Sequence, residues 1–287
     1  MKDELALIGC EWSGSHIRAW AFDDEGDILS AFHAREECGP APGLWASRLS
    51  FQLTEWLGAA PSVPVIACGA PAAAAPFLAA PVPLSHLAGH ITETAGIHLV
   101  PWIAQSAPAD LTCGAETLLF GLGDANGTIC IAGQHTRHCA VEHGRLTGFS
   151  TEITAELRDL LLSHGSLALD AGAVQAFDMA VFRDWLERAL DAGRAAPVFS
   201  VDAAIRQGQL SPENKAAALA GLMIGADVAA HYDPGEEVLL VADGPLLEAY
   251  GLALETLGAD VEETSAIEAL QEGLFELADL AGLLGED

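Results

Sequence analysis

Two short polar segments carry small residues where an anion could be gripped. In Glu11-Trp12-Ser13-Gly14-Ser15-His16, and again in Ala132-Gly133-Gln134-His135-Thr136, a Gly-bearing turn separates two apolar runs. Such a turn exposes backbone N–H groups, and small side chains let a phosphate come close. A basic residue follows each loop, Arg18 and Arg137. Either loop alone reads equally as an ordinary hairpin. Their repetition favours a pair of tips that clasp a polyphosphate from two sides of a shared cleft. A second constellation, His135, His138, Cys139 and His143, offers zinc-ligand types. Strand side chains alternate in direction, so 135, 139 and 143 share a face that 138 does not, and four convergent ligands are not expected.

The elements that must hold these loops repeat as well. Leu5 to Cys10 is an apolar strand-like run, Ile17 to Phe22 returns, and a turn at Asp23-Asp24-Glu25-Gly26 leads to Ile28-Leu29. Thr128 to Ile131, Arg137 to Val141 and the turn Glu142 to Leu146 repeat that order. Internal duplication is the economical account. Between and after the hairpins, spacing predicts a helix over Gly43 to Leu57, a strand over Val63 to Cys68, and a helix over Thr151 to His164 with Ile153, Leu157, Leu160 and Leu161 on its apolar face. A further helix is expected over Phe177 to Leu190. Ser211 before Pro212 and Glu213 marks the start of another, since Ser can cap and Pro tolerates the first position. Glu237 to Ala242 reads as a buried strand ending at Asp243-Gly244-Pro245, followed by a helix through Leu257 and a strand near Asp260 to Glu263. Alternating helices and strands define an α/β chain.

Composition narrows the partners. The 287 residues are 51% hydrophobic and 18% charged, enough apolar surface for one large or two modest domains. With 41 acidic and 12 basic side chains the formal charge is −29. That charge opposes binding to nucleic acid and to an acidic membrane surface. Asp3 and Glu4 give the start the wrong polarity for a signal peptide. The apolar stretch Ala59 to Pro83 is broken by Pro61, Pro64, Pro71, Pro76, Pro81 and Pro83, which rules out a spanning helix there. Six cysteines lack short paired spacings, and Cys10, Cys68 and Cys130 sit in apolar runs. Free core thiols in a reducing, cytoplasmic compartment are expected. A homodimer is left open.

The first loop with its returning strand, Glu11-Trp12-Ser13-Gly14-Ser15-His16-Ile17-Arg18-Ala19-Trp20, resembles the pattern D-W-G-S-T-N-L-R-A-W of the 2-dehydro-3-deoxygalactonokinases. Cys113-Gly114-Ala115-Glu116-Thr117 is similar to R-G-E-E-T, and Ala132 to Arg137 is similar to P-G-T-H-C-K. Phe149, Thr154-Ala155-Glu156-Leu157 with Leu160-Leu161-Leu162, and Ala220 to Val228 resemble F, T-G-E-L-x-x-L-L-L and S-G-L-L-I-G-A-E-V in the same order. The match spans nearly the whole chain, although no single motif would suffice.

The resemblance implies two ribonuclease H-like lobes of the actin-like ATPase fold with an interdomain cleft, drawn at 1–110 and 111–287. It implies transfer of the γ-phosphoryl group of ATP, with Mg²⁺, to the 6-hydroxyl of 2-dehydro-3-deoxy-D-galactonate. Within it, Glu116 is the expected base and Glu11 the metal-organising carboxylate. Ser13, Gly14, Ser15, His16, Gly133, Gln134 and His135 are the phosphate residues. Arg18, Thr154 and Glu156 would hold the sugar acid, and Gly221, Gly225, Asp243 and Gly244 the adenosine side. The chain departs from the pattern with Glu11 for Asp, Ser13 for Gly, Gln134 for Thr, Arg137 for Lys, Ala155 for Gly, and Asp243 where a small neutral residue is usual. A catalytically silent relative that binds a sugar acid or nucleotide is therefore the competing expectation.

Overall fold

The computed structural model describes residues 4–13, 16–35, 44–70, 73, 75–169, 177–192 and 197–285. The chain opens as an antiparallel meander of β1 (Leu7–Ser13), β2 (His16–Phe22) and β3 (Ile28–Arg35). Asp23 shapes the β2–β3 turn, its carboxylate accepting from the N–H groups of Glu25 and Asp27 at 3.0 and 2.8 Å. Gly26 in that turn has φ +90°, and a Cβ there would meet the Phe275 ring at 3.0 Å, so only glycine suits. After α1 (Trp45–Leu57), β4 (Val65–Gly69) pairs parallel with β1. Short strands follow, β5 (Leu78–Ala79), β6 (Val82–Pro83), β7 (Thr92–Thr94), β8 (Ile97–Leu99), β9 (Ile103–Ser106) and β10 (Ala109–Leu111), then α2 (Ala115–Gly121).

The second meander is β11 (Gly127–Ile131), β12 (Thr136–Glu142) and β13 (Arg145–Glu152). Helices α3 (Thr154–Ser163), α4 (Met179–Ala192), α5 (Phe199–Arg206) and α6 (Lys215–His231) lead to β14 (Glu237–Val241), α7 (Pro245–Leu257), β15 (Asp260–Thr264) and α8 (Ala266–Leu280). One sheet has the order β3-β2-β1-β4-β8-β7 and another β15-β14-β11-β12-β13-β6. Read from the meander outward, β3-β2-β1-β4-β8 and β13-β12-β11-β14-β15 are the same arrangement. The duplication legible in the loops is thus a duplication of the sheet.

Two compact units result, residues 1–126 with 140–149 and 266–287, and residues 127–139 with 150–265. The expected boundary at 110/111 is displaced because α2 and α8 pack together in the first unit. A Cβ on Gly121 would lie 1.9 Å from the Ala269 carbonyl oxygen, and one on Gly273 would lie 2.1 Å from that of Thr117. In the first unit, Ile8, Cys10, Trp12, Ile17, Leu49 and Leu99 are buried in one core. In the second, α6 is buried along Ala217 to Val228, with Phe182, Leu186, Leu240 and Tyr250 in its core.

The local expectations meet different outcomes. On α3, Leu161 packs against a core, but Ile153, Leu157 and Leu160 are 46%, 41% and 48% exposed, and residues 151–152 belong to β13. Ser211 precedes a 3₁₀ turn, Pro212–Asn214, that runs directly into α6, so a helix does start there with Pro in its first turn, although the Ser211 side chain makes no capping bond. Helices α5 and α8 had no counterpart in the sequence reading. No helix among the described residues is long and apolar enough to cross a membrane.

Candidate active site

In the first unit Glu11 and Arg18 are cross-strand partners in the β1–β2 register, and the Arg18 Nε donates to Glu11 Oε2 at 2.8 Å. The pairing follows from the strand geometry, because directly opposed residues on one face of an antiparallel pair bring their side chains together. Arg18 was expected to neutralise phosphate or the sugar carboxylate, or to pair with a neighbouring acid, and the carboxylate beside it is its partner here. At the hairpin tip the Ser13 hydroxyl donates to the His16 carbonyl at 3.3 Å. Gly14 and Ser15 lie outside the described residues.

Glu116 is fully buried in the first turn of α2. Its Oε2 accepts from the Thr112 hydroxyl at 2.5 Å and from the Gly114 N–H at 2.9 Å. The Thr112 Oγ1 also accepts from the Ile103 N–H at 2.9 Å, which ties this turn to β9. Cys113 and Gly114 both take positive φ, 50° and 110°. A Cβ on Gly114 would lie 3.3 Å from Gly69 Cα, so the turn is pressed against the end of β4. The role of base expected for Glu116 requires a carboxylate oxygen within reach of a substrate proton. In this structure the carboxylate has no accessible surface and is bonded to two donors of its own turn, which it fastens. Beneath it, the buried Cys68 thiol is held well above its usual pKa, first by burial and then by the charges of Glu11 and Glu116.

In the second unit the loop after β11 is bound to the start of α3. The Glu156 N–H donates to the Gln134 carbonyl at 3.3 Å, and Glu156 Oε2 meets His135 Nε2 at 2.6 Å. The structure thereby joins an expected phosphate residue to an expected sugar residue. Arg137 donates from Nη1 to the His135 carbonyl at 3.3 Å. Its buried Nε has no hydrogen-bond partner among the described residues. Gly133 sits at the loop start, where a Cβ would contact nothing closer than the His135 carbonyl oxygen at 3.4 Å.

The adenosine-side assignments divide. Gly221 and Gly225 serve the contact of α6 with α4: a Cβ at 221 would fall 2.2 Å from the Phe182 carbonyl oxygen, and one at 225 2.8 Å from Ala189 Cβ. These two glycines let helices approach and are not turned to a ligand. Gly244, at φ +57°, precedes α7 with open space where a Cβ would stand, and Asp243 accepts from the Ser265 hydroxyl at 2.7 Å. A small cavity of ≈ 10 Å³, about the room of one water, is lined by Thr154, Ala155 and Arg158 of α3, by Ala220, Met223 and Ile224 of α6, and by Leu246 and Tyr250 of α7.

Sequence reasoning missed the buried polar centre of this unit. Asp227 on α6 receives His138 Nε2 at 2.9 Å and His231 Nδ1 at 3.2 Å on Oδ1, and the Tyr250 and Thr154 hydroxyls at 2.5 and 3.0 Å on Oδ2. Burial would raise the Asp227 pKa, but the bonds from His138 and His231 outweigh it and hold the carboxylate well below the usual range. His231 shows the converse: burial lowers it, while its bonds to Asp227 leave it above the ordinary imidazole value. His138, Asp227 and His231 lie close enough to share a metal ion. The two rings, however, are stacked 3.6 Å apart and nearly parallel. An ion between them would sit far out of both ring planes, away from the nitrogen lone pairs. The cluster is a hydrogen-bonded charge network. An acid inside the otherwise apolar run Ala216 to Ala230 was the signal that could have found it. Of the remaining histidines in the zinc-like set, His135 pairs with Glu156, and His143 forms a turn at φ +51°.

The repeated sheet and the likeness to a solved relative define a sugar kinase of the actin-like ATPase fold. The chain belongs to the 2-keto-3-deoxy-galactonokinase family, which matches it over residues 11–277. It is 28% identical to the "Probable 2-dehydro-3-deoxygalactonokinase DgoK1" of Rhizobium meliloti (strain 1021), covering 93% of this chain and 95% of that one. It is 27% identical to the 2-dehydro-3-deoxygalactonokinase of Escherichia coli (strain K12), covering 94% and 97%. The crystal structure of a Sinorhizobium meliloti relative superposes with a TM-score of 0.87 at 28% identity, covering 98% of both chains.

Proposed function

We propose that this sugar-acid kinase transfers the γ-phosphoryl group of ATP to the 6-hydroxyl of 2-dehydro-3-deoxy-D-galactonate. The observation that carries the reading is in the second unit: a Gly133–His135 loop bonded to Glu156 of α3 and followed by a guanidinium whose buried Nε–H has no partner among the described residues. A donor left unsatisfied in the apo protein costs free energy that an anionic ligand recovers. The cavity, ≈ 10 Å³, is far smaller than the roughly 300–1,000 Å³ of a whole ligand site, so the adenosine-side reading rests on the resemblance and on Asp243 and Gly244 at the start of α7.

Phosphoryl transfer passes through a loose transition state that asks for positioning and charge stabilisation more than for covalent help. Backbone N–H groups of the Gly133–His135 loop, with Arg137, supply donors to phosphate oxygens. His135 and Glu156 hold hydroxyl groups of the sugar acid. In the first unit Glu116 fixes the Cys113–Gly114 turn, and Arg18 sets the reach of Glu11. The hard oxygens of Glu11 and Ser13 suit Mg²⁺, which takes one or two carboxylates and otherwise keeps water and phosphate oxygens. When bound there, the ion neutralises phosphate charge.

The test is a coupled ADP-release assay over a panel of 2-keto-3-deoxy sugar acids and their parent sugars. Turnover is expected with the C6 hydroxy acid of galactonate configuration and at least tenfold lower kcat/KM for sugars lacking the carboxylate. Equal rates with plain hexoses would contradict the substrate class, and nucleotide binding without any turnover would support the silent-relative reading.

A further inference from the structure

We propose that Asp227 is a positioning residue for phosphoryl transfer, its buried carboxylate fixing both the Gly133–His135 loop and the wall of the adjoining cavity. The inference rests on reading that loop as phosphate-binding. A carboxylate accepts only, so the 2.5 Å contact with Tyr250 must use the phenol's own proton. The phenol oxygen is then left to accept from the Thr136 hydroxyl at 2.8 Å. A directed chain therefore runs from Thr136 through Tyr250 to Asp227, and Thr136 is the residue that follows His135. On the other side, the Thr154 hydroxyl donates to Asp227 Oδ2. Thr154 opens α3, and two residues on Glu156 bonds both the Gln134 carbonyl and the His135 ring. The loop is thus tied to one carboxylate through Thr136 at its end and, by way of α3, through Gln134 and His135.

His138, the next-but-one residue of β12, adds a third attachment through Nε2, and its Nδ1 is 2.6 Å from the Tyr232 hydroxyl. With Nε2 donating to Asp227, a neutral ring accepts at Nδ1 from that hydroxyl. Thr154 and Tyr250 also line the cavity, so the same carboxylate sets the loop and the cavity wall in one register. A buried charge of this kind is costly unless every acceptor site is met. Here four donors converge on it. Displacing a phosphate-holding loop by about 1 Å can cost on the order of 100-fold in rate, which gives such an anchor a catalytic consequence.

The experiment measures kcat and both KM values, with thermal melts, for Tyr250→Phe, Asp227→Asn, Asp227→Glu and Gly133→Asp in the full chain. Tyr250→Phe removes one oxygen and keeps the ring packing. It is expected to lower kcat at saturating substrates about tenfold, with the KM for the sugar acid within about twofold, because mispositioning acts mainly in the transition state. Asp227→Asn is expected to lose more. Asp227→Glu, which restores the acid present in the S-G-L-L-I-G-A-E-V pattern, is expected to recover part of that loss. Gly133→Asp puts a negative charge in the loop and should raise the nucleotide KM more than tenfold. Wild-type kcat in folded Tyr250→Phe and Asp227→Asn proteins, beside a raised nucleotide KM in Gly133→Asp, would reduce Asp227 to a core residue and leave the loop reading intact. An unchanged nucleotide KM in Gly133→Asp would overturn the loop reading and this proposal with it. If Asp227→Asn does not fold, Tyr250→Phe decides alone.

Discussion

Glu116 separates two meanings that a carboxylate in a recognised motif can have. Its position in the Cys113 to Thr117 segment points to chemistry, whereas its burial and its bonds to Thr112 and Gly114 point to the turn. Glu116→Ala would strand the Gly114 N–H and leave a cavity, a loss of about 2–3 kcal/mol. For a unit of this size that is a fall of roughly 4–8 °C or more in the melting temperature. Glu116→Gln, which keeps one acceptor, should fall less, with turnover reduced in proportion to the displaced turn. Calorimetry beside steady-state kinetics checks this. A Glu116→Gln protein that melts like wild type yet loses more than about 1,000-fold in kcat would return Glu116 to the role of base. The residue types of the site were legible in the sequence. Their partners were not, because strand register and helix approach decide them: Arg18 meets Glu11, and His135 meets Glu156, across separations of 7 and 21 positions.

The elements themselves were legible where one face is polar and the other apolar. The two meanders, α1, α4, α6, β14 and α7 fall close to where periodicity and turn residues put them. Helix α8 was not expected, although Leu270, Leu274, Leu277 and Ala278 lie on a single buried stripe at helical spacing. The apolar spacing of α3 marks a core contact only in part, at Leu161, while Ile153, Leu157 and Leu160 stay exposed, since periodicity reports a stripe and not what covers it. Short strands such as β5 and β6, two residues each, carry too few residues to alternate visibly. At this scale the crossing of α2 and α8 is the feature most open to test. A methyl group on Gly273 would overlap the Thr117 carbonyl, so Gly273→Ala is expected to destabilise by about 1–3 kcal/mol or more through overpacking. Gly89→Ala, where no atom lies within 4 Å of the added carbon, should stay within about 0.5 kcal/mol of wild type. Urea denaturation of both variants provides the comparison, and equal stabilities would mean that α2 and α8 do not meet at these glycines.

For the whole molecule, the repeated strand order accounts for two similar Gly-bearing segments so far apart in sequence. Each sheet places such a segment after its first strand and a helix after its third. Glu11 for Asp and Gln134 for Thr are changes inside a retained fold. The unit boundary was not legible, because Ala266 to Asp287 return to the first unit through contacts at Gly121 and Gly273 that only three-dimensional packing reveals. The central claim concerns one bond: the γ-phosphorus leaves the β–γ bridging oxygen of ATP and joins O6 of the sugar acid, whose proton departs. Phosphorus NMR of the protein with MgATP and 2-dehydro-3-deoxy-D-galactonate observes that bond directly. The account predicts loss of the γ resonance, formation of ADP, and a new phosphomonoester signal split into a triplet by the two C6 protons. A doublet would put the phosphate on a secondary hydroxyl, and inorganic phosphate or unchanged ATP in place of any ester would contradict the account.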